Sequence, residues 1–126
     1  MLQISNEQMA QFRRARAIAL VPHFIEQLQA HAVIDQTRWS SETLRDDTVT
    51  HVDLALNLGL RSGRDVLGFL MLRHTVGAGF ERLPRVKAAL TTPSQPEGWR
   101  VYSMMHTFDS AYWVGARDKL PRELRR

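Results

Sequence analysis

Asp47 and His51 stand four residues apart, a spacing that places both on one helical face within reach of a shared proton or metal ion. The other histidines of the five, His23, His31, His74 and His106, are scattered along the chain. Nothing like a His-Glu-x-x-His zinc helix or the Glu-x-x-His pairs of di-iron bundles accompanies them. Asp47 and His51 therefore read as a hydrogen-bonded surface pair, and Asp46, Asp47 and Asp53 as solvent-facing charge. No serine or threonine has a base and an orienting acid at a recognised spacing, which leaves only a triad assembled in space. The chain has no cysteine, so disulfides and thiolate chemistry are excluded. The expectation is no catalytic residue, no metal ligand and no cofactor.

Two further stretches invite a nucleotide or nucleic-acid reading. The glycines of VGAGF, residues 76–80, suggest a phosphate loop, but the sixth position of the dinucleotide fingerprint is Arg82 and a helix precedes the loop where a strand is required. A helix C-terminus is the better reading. The segment ALNLGLRSGRDVLGFLMLRH, residues 55–74, looks like a helix-turn-helix, with Ala55 four residues before the turn residue Gly59. The register then fails, because Asp65 stands where an apolar residue belongs. A recognition helix must also show three or four polar side chains to the bases. This one is dominated by Val66, Leu67, Phe69, Leu70, Met71 and Leu72. A structural hairpin is expected, and a small basic DNA-binding regulator is kept as the alternative.

The tryptophans are Trp39, Trp99 and Trp113. Trp113 falls off the apolar stripe of its helix and is followed by Arg117, Lys119 and Arg122, so it is a candidate partner-binding anchor with a basic rim. Burial against the first helix is the competing reading. Trp39, on the loop between the first two helices, is the second candidate anchor.

The elements that hold these residues are helical throughout, since no segment alternates with period two. Ser5 caps the first helix, with Gln8 completing a capping box and Ile4 and Met9 a hydrophobic staple. Met9, Phe12, Ala15 and Ala19 form its expected core face. Pro22 should kink or break this helix, which continues through Phe24, Ile25 and Leu28 to about residue 32. Ser40 or Ser41 caps the second helix, which runs to about Leu58 with Leu44, Val49, Val52, Ala55 and Leu56 inward and ends at Gly59. Ser62, with Asp65 at the box position, caps the third helix. That helix is apolar on every side around Gly68 and should run through the middle of the domain. Gly68 itself implies close approach by a neighbouring helix. A short fourth helix starts at Pro84 with Val86, Ala89 and Leu90 inward, and TTPSQPEG is a loop. A fifth helix is expected from about Pro96 to Arg117 on a stripe of Val101, Met105, Phe108 and Tyr112, with residues 118–126 as a frayed basic tail beyond it.

Length and composition frame the whole. With 44% hydrophobic and 24% charged residues, the chain is an ordinary globular sequence of one domain, residues 1–126. Its net charge is +4, and all but two of the 17 basic residues are arginine. Arg13, Arg14 and Arg16 form one cluster and RDKLPRELRR another, both expected to be solvated surface. No signal peptide or membrane-spanning run is visible, which points to the cytoplasm.

Ile4, Gln8 and Phe12 open the chain at steps of four. Later come Gly59 with Leu60, Asp65 with Val66, Phe69 with Leu70, and then Gly77, Phe80, Pro84 and Leu90. In this pattern, over about residues 1–90, the chain resembles the small helical accessory proteins found with type VI secretion effectors and their adaptor chaperones. The resemblance implies a non-enzymatic adaptor or co-chaperone whose partner is an effector or its adaptor chaperone, and it carries over no catalytic residue. The expected architecture is all-α, a compact bundle of about five helices around a central apolar third helix.

Overall fold

A computed structural model describes residues 5–31, 34, 37–91 and 98–120. The described residues are all-helical, with seven α-helices in place of about five: α1 Asn6–Ala19, α2 Val21–Ala30, α3 Ser41–Asn57, α4 Gly63–Thr75, α5 Pro84–Thr91, α6 Arg100–Thr107 and α7 Ser110–Lys119. A 3₁₀ turn at Phe80–Arg82 precedes α5. Ile4, Pro96, Pro121 and Arg122 lie outside the described residues, as does most of TTPSQPEG.

The higher count comes from two helices that each divide. The first breaks at Leu20, which ends α1 and caps α2. Pro22 then sits in the first turn of α2, where its missing N–H costs nothing. The fifth divides at Phe108, whose backbone is extended. The Asp109 carboxylate accepts the Tyr112 N–H at 2.8 Å and starts α7 as an N-cap.

These breaks reassign the buried faces. Ala17, Val21, Phe24 and Leu28 are buried at steps of four, three and four across the first break. The large side chains of α2 set that line, and Phe12 is turned about 140° away from Ala17 by helical rotation. The expected core face of Met9, Phe12, Ala15 and Ala19 is therefore exposed, with Phe12 58% accessible. In α6, Val101 and Met104 are buried while Met105 faces out.

Several local expectations hold. The Ser5–Gln8 capping box is formed in both directions. Ser40 caps α3, which ends in a Schellman turn: Leu60 N–H donates to the Ala55 carbonyl and Gly59 N–H to that of Leu56, with Gly59 at φ 91°. VGAGF is a helix end, with Gly77 and Gly79 at positive φ and Val76 and Phe80 buried.

The third expected helix, α4, packs against α2, α3 and α6. It is not apolar on every side. Arg64 and Thr75 are exposed, Leu67 and Met71 are half-buried, and its first and last turns bury Asp65 and Arg73. The core it joins includes Leu28, Val52, Leu60, Phe69, Leu70, Val86 and Leu90, with the Phe69 and Phe80 rings 4.9 Å apart. Gly68 meets α6: a Cβ there would stand 2.8 Å from Val101 Cγ1, so the expected close approach is present.

Candidate functional site

The residue that spoils the helix-turn-helix register organises an exposed cluster of aromatic side chains. Asp65 follows Ser62, whose hydroxyl accepts the Asp65 N–H at 3.1 Å and caps α4. The Asp65 carboxylate does not return to close a capping box. It accepts the Gly98 N–H at 2.8 Å and the Val101 N–H at 3.0 Å, doing for α6 what an N-cap side chain does. Buried and aimed at a helix N-terminus, this carboxylate fixes the start of α6 in register with α4. Gly98, at φ 91°, presents its N–H in a conformation that disfavours other residues. Arg100 completes the junction by donating to the Leu90 carbonyl at 3.2 Å.

On this base α6 projects Trp99 and Tyr102, each 45% exposed, together with exposed Met105 and His106. The Trp99 and Tyr102 rings meet edge-on at 5.4 Å, and the Tyr102 and His106 rings lie 4.2 Å apart. The Arg64 guanidinium, from the first turn of α4, sits 4.0 Å over the Trp99 ring and 5.3 Å from Tyr102. An aromatic pair, a thioether and an arginine on an ordered helix form the composition of an interface anchor. The sequence signal was available, since Trp99, Tyr102 and His106 step by three and four.

The expected anchors are placed differently. Trp113 is half-buried against the core, its ring 5.5 Å from Phe108 and 5.3 Å from Tyr112. Arg85 of α5 lies over the Phe108 and Tyr112 rings at 4.4 and 4.7 Å. Arg117 and Lys119 are exposed, but the most exposed apolar side chain of α7 is Val114 at 65%. Asp118 and Lys119 are the last two residues of α7, and Leu120 is buried, so the fraying expected from residue 118 does not begin there. Trp39 also packs on the core, edge-on to His74 at 5.6 Å with Arg73 5.3 Å from its ring.

In the Asp47–His51 pair His51 is buried and Asp47 partly buried, contrary to the surface reading. Arg73 reaches across from α4 and donates to both Asp47 oxygens, at 2.9 and 3.1 Å. His51 Nδ1 donates to the Asp47 carbonyl at 2.9 Å. Asp47 is thus the counter-ion of a buried arginine, an arrangement a surface charge pattern does not reveal. Asp46 is exposed, and Asp53 pairs with Arg14 at 2.9 Å. Burial, reinforced by the neighbouring Arg73 charge, lowers the His74 pKa from 6.5 to about 4. Among the described residues no three histidine or acidic side chains are grouped to hold a metal ion.

Comparisons with protein-family models, with curated proteins and with solved structures give no match for the chain.

Proposed function

We propose that this chain is a non-enzymatic protein-binding accessory, an adaptor or co-chaperone, and that it docks its partner on the Trp99–Tyr102–Met105 face of α6. The observation that carries this reading is the exposed aromatic pair, stacked under Arg64 and fixed from below by the Asp65 carboxylate. An anchor held in place before binding loses little conformational freedom when the partner arrives.

A cytoplasmic role in type VI effector delivery, with an effector or its adaptor chaperone as partner, rests on the sequence resemblance. The positions behind that resemblance now have physical roles: Gly59 and Leu60 close α3, Asp65 joins α4 to α6, and Phe69 packs against Phe80. They are determinants of a fold, and the docking residues Trp99 and Tyr102 lie outside them. Among the described residues, no helix is long and apolar enough to cross a membrane. Contact of α6 with α4 at Gly68 and Asp65 favours the protein-binding reading over the DNA-binding alternative.

The test is capture of the products of the flanking reading frames by the purified chain. The Trp99→Ala/Tyr102→Ala variant should lose about 2 kcal/mol or more of binding. Tight duplex-DNA binding that falls steeply with salt would overturn the reading.

A further inference from the structure

Some arginines of the molecule already have partners. Arg14 is paired with Asp53, Arg73 with Asp47, and Arg64 is stacked on Trp99. Arg13, Arg16 and Arg61 form no ion pair among the described residues. All three line one cavity of about 280 Å³ between α1, α2 and the start of α4. Its apolar wall is Ala17, Leu20, Phe24 and Val66, of which Leu20 is exposed at the rim. Among the described residues, no acidic side chain lines it. The adjoining cleft, which shares Arg13 and Arg61, contains two carboxylates: Asp53, which Arg14 holds, and the exposed Glu7 in the first turn of α1.

We propose that this cavity is a second docking site, taking an acidic segment of a partner protein. One apolar side chain of the segment enters between Leu20 and Phe24, and flanking carboxylates pair with Arg13, Arg16 and Arg61. The charge decides the occupant. Three unpaired guanidinium groups around an apolar floor repel a basic partner, and a second copy of this chain would bring the same cations face to face. The volume suits one large side chain and falls just below the range of small-molecule sites, which run from about 300 to 1,000 Å³. Phosphates would satisfy the arginines, but Phe24 is buried on the floor and offers a base no open ring face on which to stack. The site is independent of the aromatic face, and either can fail alone.

The experiment is fluorescence anisotropy of the full chain with a labelled amphipathic peptide of glutamates and helically spaced leucines. Matched peptides carry serine for leucine or lysine for glutamate. Binding of the first peptide is expected, with a loss of about tenfold or more in Arg13→Glu/Arg16→Glu, in Arg61→Glu, in Leu20→Asp and with either matched peptide. The melt of Arg61→Glu should match wild type, because Arg61 has no ion pair to lose; that variant decides the matter if the double variant unfolds. Trp99→Ala/Tyr102→Ala should bind the peptide as wild type does. The proposal is overturned by any of four results: no binding to wild type, undiminished binding to Arg61→Glu, equal binding of the serine peptide, or displacement by duplex DNA at equal concentration.

Discussion

Two aromatic clusters follow one another in the last third of the chain, each with an arginine over its rings. In the first, Arg64 covers Trp99 and Tyr102; in the second, Arg85 covers Phe108 and Tyr112 beside Trp113. Composition does not tell them apart. What differs is what lies beneath. The first stands on a helix whose start is bound by a buried carboxylate and whose inward face is filled by Val101 and Met104. Its rings are therefore left over for solvent or a partner. In the second, the extended Phe108 and the Asp109 cap turn α7 so that Phe108, Tyr112 and Trp113 close the edge of the core. An aromatic cluster is left exposed when the core beneath it is already complete.

The sharpest way to break this comparison is to remove its foundation. Asp65→Ala deletes two buried charge-assisted hydrogen bonds and uncaps α6, and should cost about 3 kcal/mol or more. Denaturant unfolding measures this, and a wild-type midpoint would show that α6 does not depend on Asp65. Trp113→Ala should cost about 2 kcal/mol, part of the usual penalty for truncating a buried aromatic, because the ring is only half-buried. A melt unchanged from wild type would return Trp113 to the surface role that its place off the apolar stripe first implied.

The third tryptophan extends the comparison to pH. Trp39 meets His74, whose pKa burial lowers from its ordinary 6.5 to about 4 in the folded chain. Between those values the unfolded chain binds more protons, so stability declines as pH falls from about 6.5 to about 4 and is unaffected by this group above that window. His74→Phe keeps a ring against Trp39 and removes the titration. Its melting temperature should fall less steeply across that window than that of wild type, and parallel acid limbs would assign the pH dependence to other groups.

Local chemistry was legible in the sequence wherever one segment held all its parts. The Ser5–Gln8 box, the Ser40 and Ser62 caps, the Gly59 turn and the tight approach at Gly68 each need only neighbouring residues or a missing side chain. Facing was less legible. A stripe of Met9, Phe12, Ala15 and Ala19 has the right period, yet the larger Val21, Phe24 and Leu28 beyond the break determined which side turned inward. The break at Phe108 was signalled by Asp109 followed by Ser110, a cap pattern obscured by apolar spacing that runs through it. Long-range pairing was not legible at all. Nothing local distinguishes Asp47, which neutralises Arg73, from the exposed Asp46, and Asp65 looked like a misplaced polar residue until α6 was seen to rest on it.

The smallest effect on stability belongs to the residues expected to matter most for binding. Trp99→Ala/Tyr102→Ala removes exposed rings and should shift unfolding by less than about 1 kcal/mol. The decisive measurement is calorimetric titration of a captured flanking-frame product into wild type, this double variant and Trp113→Ala, each with its melt. The account requires the double variant to bind about thirtyfold or more weaker with a near-native melt, and Trp113→Ala to melt lower yet bind normally while folded. The reverse pattern, with binding lost in Trp113→Ala and retained in the double variant, would contradict it.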